Sequence, residues 1–120
     1  MRERENSAFI VRAKSFGVSV CQEADRWPRT WSSETIARQL IRSSLSVSAN
    51  LRASLRARSN AEMASKMGIA LEEADESEHW LSVAVDLGHC SQDQVAALRD
   101  ECDQIIRMLV ASIVRVKALK

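Results

Sequence analysis

The chain has 120 residues, 46% of them hydrophobic, with three glycines, one proline and no tyrosine. That length holds one core, and so few turn formers exclude a β-rich fold, which needs breakers at every reversal. The net charge of +1 excludes a polycation, but residues 1–60 carry +6 (eleven Lys/Arg, five Asp/Glu) and residues 61–120 carry −5 (six against eleven).

The abundance of Ala, Leu, Arg and Glu favours long helices. The first is expected over about 6–27. Phe9, Ala13, Phe16, Val20, Ala24 and Trp27 recur at spacings of four and three, one face of a helix. Pro28 ends it, because the residue before a proline is pushed out of the α region.

The second helix is expected over about 33–57, starting near Ser32 or Ser33. A Ser32 cap sets Trp31 against Ile36 as a hydrophobic staple. Its apolar stripe is Ile36, Leu40, Ser44, Val47, Leu51 and Leu55, set among many small residues such as Ser43, Ser48 and Ala49. Small side chains let a neighbouring backbone come close, which predicts a crowded position for this helix.

The third helix is expected over about 60–87. Ser59-Asn60-Ala61-Glu62 reads as a capping box, the serine accepting from the third helical N–H while the glutamate reaches back. Met63, Met67, Ala70, Ala74, Ser77, Leu81 and Val85 form its stripe, and Gly88 is placed as a left-handed stop. The fourth, about 92–118, opens with a second box, Ser91-Gln92-Asp93-Gln94. Val95, Leu98, Cys102, Ile105, Leu109, Ser112, Val116 and Leu119 alternate by three and four, a coiled-coil-like seam. Ile106, Val110, Ile113 and Val114 widen that face beyond one seam, enough for a core on one side and a subunit contact on the other.

Connections of about five, two and three residues force consecutive helices antiparallel. The expectation is therefore one all-α domain spanning 1–120, an up-down-up-down four-helix bundle. The three cysteines, Cys21, Cys90 and Cys102, make no disulfide framework, so the thiols are expected reduced and the chain cytoplasmic. The charged start Met1–Asn6 leads into no long apolar run, so neither a signal peptide nor a membrane span is expected.

The segment Gln39-Leu40-Ile41-Arg42-Ser43-Ser44-Leu45-Ser46-Val47-Ser48-Ala49-Asn50 resembles the second-helix signature of the bacterial four helix bundle proteins encoded in intervening sequences of 23S ribosomal RNA genes. The likeness continues through Ala57-Arg58-Ser59 with Glu62-Met63, then Lys66, then Ile69–Glu76, into Trp80-Leu81. It covers about residues 9 to 118. Many members have Pro or Gly where this chain has Ser48, and Glu-Gly where it has Ala53-Ser54. The resemblance implies a left-handed antiparallel bundle, commonly a homopentameric ring, and no catalytic residues. The accessory protein of diversity-generating retroelements is similar too, which implies a reverse transcriptase and its RNA as partners; that relative tends to be strongly basic.

Several constellations invite chemistry. Glu76-x-x-His79 has the spacing of di-iron bundles, but those need two such motifs and two further inward glutamates, and His79 lies almost opposite its helix's stripe. His89-Cys90 pairs imidazole with thiol in sequence, yet neighbours in a tight turn rarely face each other and no third group is evident. Cys102, Met63 and Met67 fall on core seams. No cofactor and no metal is expected, and no enzyme can be assembled. Asn50 flanks the apolar stripe and reads as a buried hydrogen-bonding residue that fixes register.

The arginines of the second helix are the most informative feature. At 3.6 residues per turn, Arg42, Arg52 and Arg56 all fall within about 40° of Arg38, opposite the apolar stripe. One reading is a ridge that tracks the phosphates of RNA or DNA. The other is a solvated face neutralised by Glu62, Glu73 and Glu76 of the third helix. The corresponding functions are an oligomeric RNA- or ribonucleoprotein-associated binding module and a protein-interaction scaffold, such as a reverse transcriptase accessory subunit. Either is expected to be a homo-oligomer.

Overall fold

A computed structural model describes residues 2–119, with side chains from Ser7 onward. Four helices make up the fold: α1 (Arg2–Ala24), α2 (Trp31–Ser54), α3 (Asn60–Asp86) and α4 (Gln92–Ala118). Each packs on the next and α4 closes back on α1, while the diagonal pairs stay apart. This is the antiparallel up-down-up-down bundle that short connections impose.

The helix ends differ from expectation in ways the backbone explains. α1 begins at Arg2, not near residue 6, and stops at Ala24 rather than Trp27. Arg26 and Trp27 donate to Glu23 and Ala24, three residues back, so the chain tightens before Pro28 instead of continuing as α-helix. Trp27 is still buried, its indole N–H donating to Glu23 at 3.0 Å.

α2 is capped by Thr30, not by Ser32 or Ser33. The Thr30 hydroxyl accepts from the Ser33 N–H at 3.1 Å, and the Ser33 hydroxyl accepts from the Thr30 N–H at 2.8 Å. A serine therefore fills the third position of a capping box, where glutamate or glutamine is usual. Trp31 becomes the first helical residue, and the expected staple on Ile36 does not form. The helix ends at Ser54, and Leu55, Arg56 and Ala57 continue as a tight turn bonded three residues back.

Ser59 caps α3 as expected, accepting from the Glu62 N–H at 3.0 Å. Only half of that box forms, because Glu62 turns to Arg58 at 3.6 Å. At the other end Gly88 takes φ of 76°. Its N–H bonds to Val85, and His89 bonds to Ala84, the paired closure of a Schellman motif. The Ser91–Gln94 box of α4 forms in both directions. The connections thus span 25–30, 55–59 and 87–91, longer than the expected second and third.

The core is the set of stripes turned inward. Phe16, Val20, Leu40, Val47, Leu81, Val95, Ile105 and Leu109 are essentially inaccessible. The α3 stripe shifts at its ends: Ala64 and Ala84 are buried, while Met63 and Val85 are half-buried. Its buried positions recur every three or four residues, which holds one seam against the neighbours along the whole helix. On α2, Ser54 rather than Leu55 closes the seam, and Leu119, just past the end of α4, stays exposed.

The crowding expected of α2 is present. A Cβ on Gly17 of α1 would lie 2.9 Å from Leu45 Cδ2 and 3.2 Å from the Ser44 carbonyl oxygen. On the other side, the Ser43 and Ser77 hydroxyls meet at 2.8 Å. Each also donates or lies bonded to its own helix, Ser43 at the Leu40 carbonyl and Ser77 at the Glu73 carbonyl. Buried hydroxyls so satisfied carry little penalty.

Candidate nucleic-acid interface

α2 turns its seam inward, so the opposite face must meet solvent. Arg38, Arg42, Arg52 and Arg56 are all exposed there. They do not act alike. Arg42 reaches across to α3, donating to Glu73 at 3.0 Å and to Glu76 at 2.7 Å. That contact holds the Glu76 carboxyl below the usual carboxylate range, helped by the Trp80 indole N–H. Among the described residues no carboxylate lies within ion-pair distance of Arg38, Arg52 or Arg56. The neutralised face and the open face thus coexist on one helix, with Arg42 as the neutralised member. Arg56 lies past the end of α2, in the tight turn, so the even helical spacing does not extend to it.

Arg38 lies on the lip of a cleft of about 250 Å³ that also holds Asp25, Arg29 and Glu34. Arg52 and Arg56, with Lys14, rim a groove of about 750 Å³ between α1 and α2 whose floor includes Ile10, Val11, Val18, Leu45 and Leu55. A second groove, about 740 Å³, lies between α3 and α4 over Gly68, Leu71, Ile113 and Val116. On α4, Ile106 and Ile113 are half-buried while Val110 and Val114 are exposed, so the wide apolar face is only partly used by the core.

Leu40 is fully buried and Gln39 half-buried. Asn50 does not fix register: it is half-buried and donates to the Ser46 carbonyl of its own helix at 2.9 Å, because its flank position never reaches a neighbour. His79 is exposed and meets Trp80 edge-on at 4.9 Å, while Glu76 is occupied by Arg42. Among the described residues no group of three or more His, Cys, Asp or Glu is arranged to hold a metal. His89 turns from Cys90 to the Ser32 hydroxyl, 3.1 Å away.

Burial pushes all three thiols up, Cys102 to about 12. Its Sγ donates to the Ala74 carbonyl at 3.2 Å. These thiols are protonated at neutral pH and are poor nucleophiles.

Sequence pattern did not single out the clasps between helices. Arg12 of α1 grips Glu101 of α4 with two bonds of 2.7 Å and adds Gln104 at 2.6 Å. Arg99 of α4 grips Glu78 of α3. Only the opposite charge of the two halves hinted at the Arg12–Glu101 pair; Arg99 and Glu78 both lie in the acidic half. No described helix is long and apolar enough to cross a membrane.

Comparison with known proteins finds a family and solved structures that resemble the chain. The family described as "23S rRNA-intervening sequence protein" matches residues 5–111. A crystal structure of a protein of unknown function from the S23 ribosomal protein family, from Bacteroides thetaiotaomicron VPI-5482, superposes with a TM-score of 0.83 at 24% identity, covering 90% of this chain and 96% of that one. No curated protein matches the chain.

Proposed function

The chain belongs to the 23S rRNA-intervening sequence protein family, and from that premise we propose that it is a non-catalytic, oligomeric RNA-binding module of the cytoplasm. The observation that carries this reading is the set of exposed arginines Arg38 and Arg52 on one side of α2 and Arg56 in the turn after it, none of them in an ion pair among the described residues. Guanidinium groups free of carboxylates release no internal partner when they meet a phosphate, so each contact adds directly to affinity.

Three arginines on one bundle are too few for tight binding at physiological salt. Repetition in an oligomer raises their effective concentration. The two grooves support such an oligomer. In a bundle ordered α1-α2-α3-α4 around its axis, the α1–α2 and α3–α4 faces are opposite. The first lies in the basic half and the second in the acidic half of the chain. Joining one face to the other is a head-to-tail contact, which closes into a ring when the rotation allows, with Arg52 and Arg56, on the rim of the α1–α2 groove, left at the edge of that seam. A pentamer is the first choice, a number that comes from family resemblance alone.

The test is RNA binding by the wild type and by an R38Q/R52Q/R56Q variant, over a salt series, alongside light scattering. The expected result is binding that falls steeply with salt, shows little sequence preference and disappears in the variant while helicity stays. Wild-type protein that ignores RNA at low salt removes this reading, and a monomer at micromolar concentration removes the oligomer.

A second reading is a protein-interaction scaffold, such as a reverse transcriptase accessory subunit. The apolar α1–α2 groove favours it, since an amphipathic helix is the usual occupant of such a groove.

A further inference from the structure

Trp31 is 93% exposed. The other two tryptophans are tied down: Trp27 bonds Glu23 and is buried, and Trp80 bonds Glu76 and is half-buried. A lone exposed apolar side chain needs no explanation by itself. Trp31 differs in where it stands. Seven residues before Arg38, it lies about 20° from that arginine around α2 and about 10 Å along the axis. The bare indole therefore heads the arginine face. Arg26 and Arg29 precede it in the connection, both exposed.

The surroundings choose between a nucleobase and a protein partner. A protein anchor residue sits at the centre of an apolar patch that closes around it. The residues that flank Trp31 in sequence are polar instead: Arg29, Thr30, Ser32, Glu34 and Thr35 are all exposed. The nearest exposed apolar residue further along that face is Leu45, about 21 Å away by helical rise. An isolated aromatic face flanked by guanidinium groups suits a stacked base with phosphates to either side.

The platform is also held in place. The Thr30–Ser33 box fixes the first turn of α2, and the Ser33 hydroxyl reaches the Pro28 carbonyl at 2.8 Å. Ser32, next to Trp31, is joined to His89 of the α3–α4 connection at 3.1 Å. The backbone under the indole is thus braced from two sides, which lowers the ordering cost of binding. Two carboxylates lie nearby. Glu34 is 3.7 Å from Arg29, in a pair whose arginine side chain is 89% exposed, too weak to withhold Arg29 from a phosphate. Asp25 lines the adjoining cleft with Arg38, where it repels a phosphate and accepts from a base amino group.

We infer that Trp31 is a stacking platform for an unpaired base, with Arg29 and Arg38 holding the adjacent phosphates, so that the α2 face takes single-stranded RNA. The inference rests on the RNA-binding reading above and names its ligand class. Duplex RNA hides its base faces and offers Trp31 nothing to stack on.

The test compares W31A, W31F and wild type against oligouridylate, oligoadenylate and a duplex of equal length, with circular dichroism as a fold control. W31A is expected to weaken both single strands about tenfold or more, leave duplex affinity unchanged, and be largely rescued by W31F. Single-strand binding by W31A equal to wild type overturns the inference and leaves the RNA reading standing. An equal loss on duplex and single strand also overturns it, because stacking is then not what was removed. Wild type that binds none of the three probes removes the RNA reading itself.

Discussion

Arg12 and Glu101 lie 89 residues apart and meet through two hydrogen bonds of 2.7 Å, a fork-on-fork pair that ties α1 to α4. That is the face where helix contact is sparsest, so the clasp closes the bundle where apolar packing contributes least. The pair is about one-third exposed on each side, and solvent screening keeps its worth modest. R12A is expected to lose about 1 kcal/mol, measured by urea unfolding. A loss of several kcal/mol would mean that Arg12 does more than pair.

Acid should weaken the fold through two carboxyls. Hydrogen bonds from Arg12 and Arg42 hold Glu101 and Glu76 below their ordinary value of 4.5. A carboxyl depressed on folding stabilises the native state above its unfolded pKa, and that share is lost as pH falls through the folded value. The melting temperature should therefore drop below about pH 4.5. An E76Q/E101Q variant should show a shallower drop, because neither glutamine titrates. Parallel pH profiles for variant and wild type would reject this.

Gly17 should resist enlargement. A branched side chain there meets the Ser44 carbonyl, which is backbone and cannot swing away. G17V is expected to cost about 2 kcal/mol by overpacking, read as a lower urea midpoint at unchanged slope. An unaltered midpoint would show that α1 and α2 separate freely.

Leu109 is fully buried in the α4 seam. L109D places an unpaired charge there and should destabilise by about 3 kcal/mol or more. A melting curve like that of the wild type would contradict the inward face of α4.

Arg42 separates structure from binding. R42Q removes the α2–α3 bridge and should lower thermal stability while changing RNA affinity little. R38Q/R52Q/R56Q should do the reverse. If R42Q alone abolished binding, the bridge to Glu73 and Glu76 would have to open on contact with RNA.

Composition and period were enough for four helices, their antiparallel order and most of the core, because an apolar stripe has only one way to leave water. The cap at Ser59, the full box at Ser91 and the stop at Gly88 were legible for a similar reason, being local hydrogen-bond patterns, although Glu62 did not close the box at Ser59. Local rules failed where two patterns competed. Ser32, Ser33 and Thr30 all offer a cap, and the reciprocal Thr30–Ser33 bonds are backed by the bond from the Ser33 hydroxyl to Pro28 and by the brace from His89 to Ser32. That choice turned Trp31 from an expected staple into an exposed indole.

The arginine face was visible from sequence as a face, but not as a divided one. Helical spacing places Arg38 and Arg42 alike. Which one meets Glu73 and Glu76 depends on how α3 is set against α2, and that is fixed by distant pairs such as Ser43 with Ser77. Gly17 against Leu45 and Arg12 against Glu101 are of the same kind. Sequence determined what each helix had to bury, since burial follows from local periodicity; the tertiary structure alone decided which surface charges were used up and which remained open, since that depends on contacts between residues far apart in the chain.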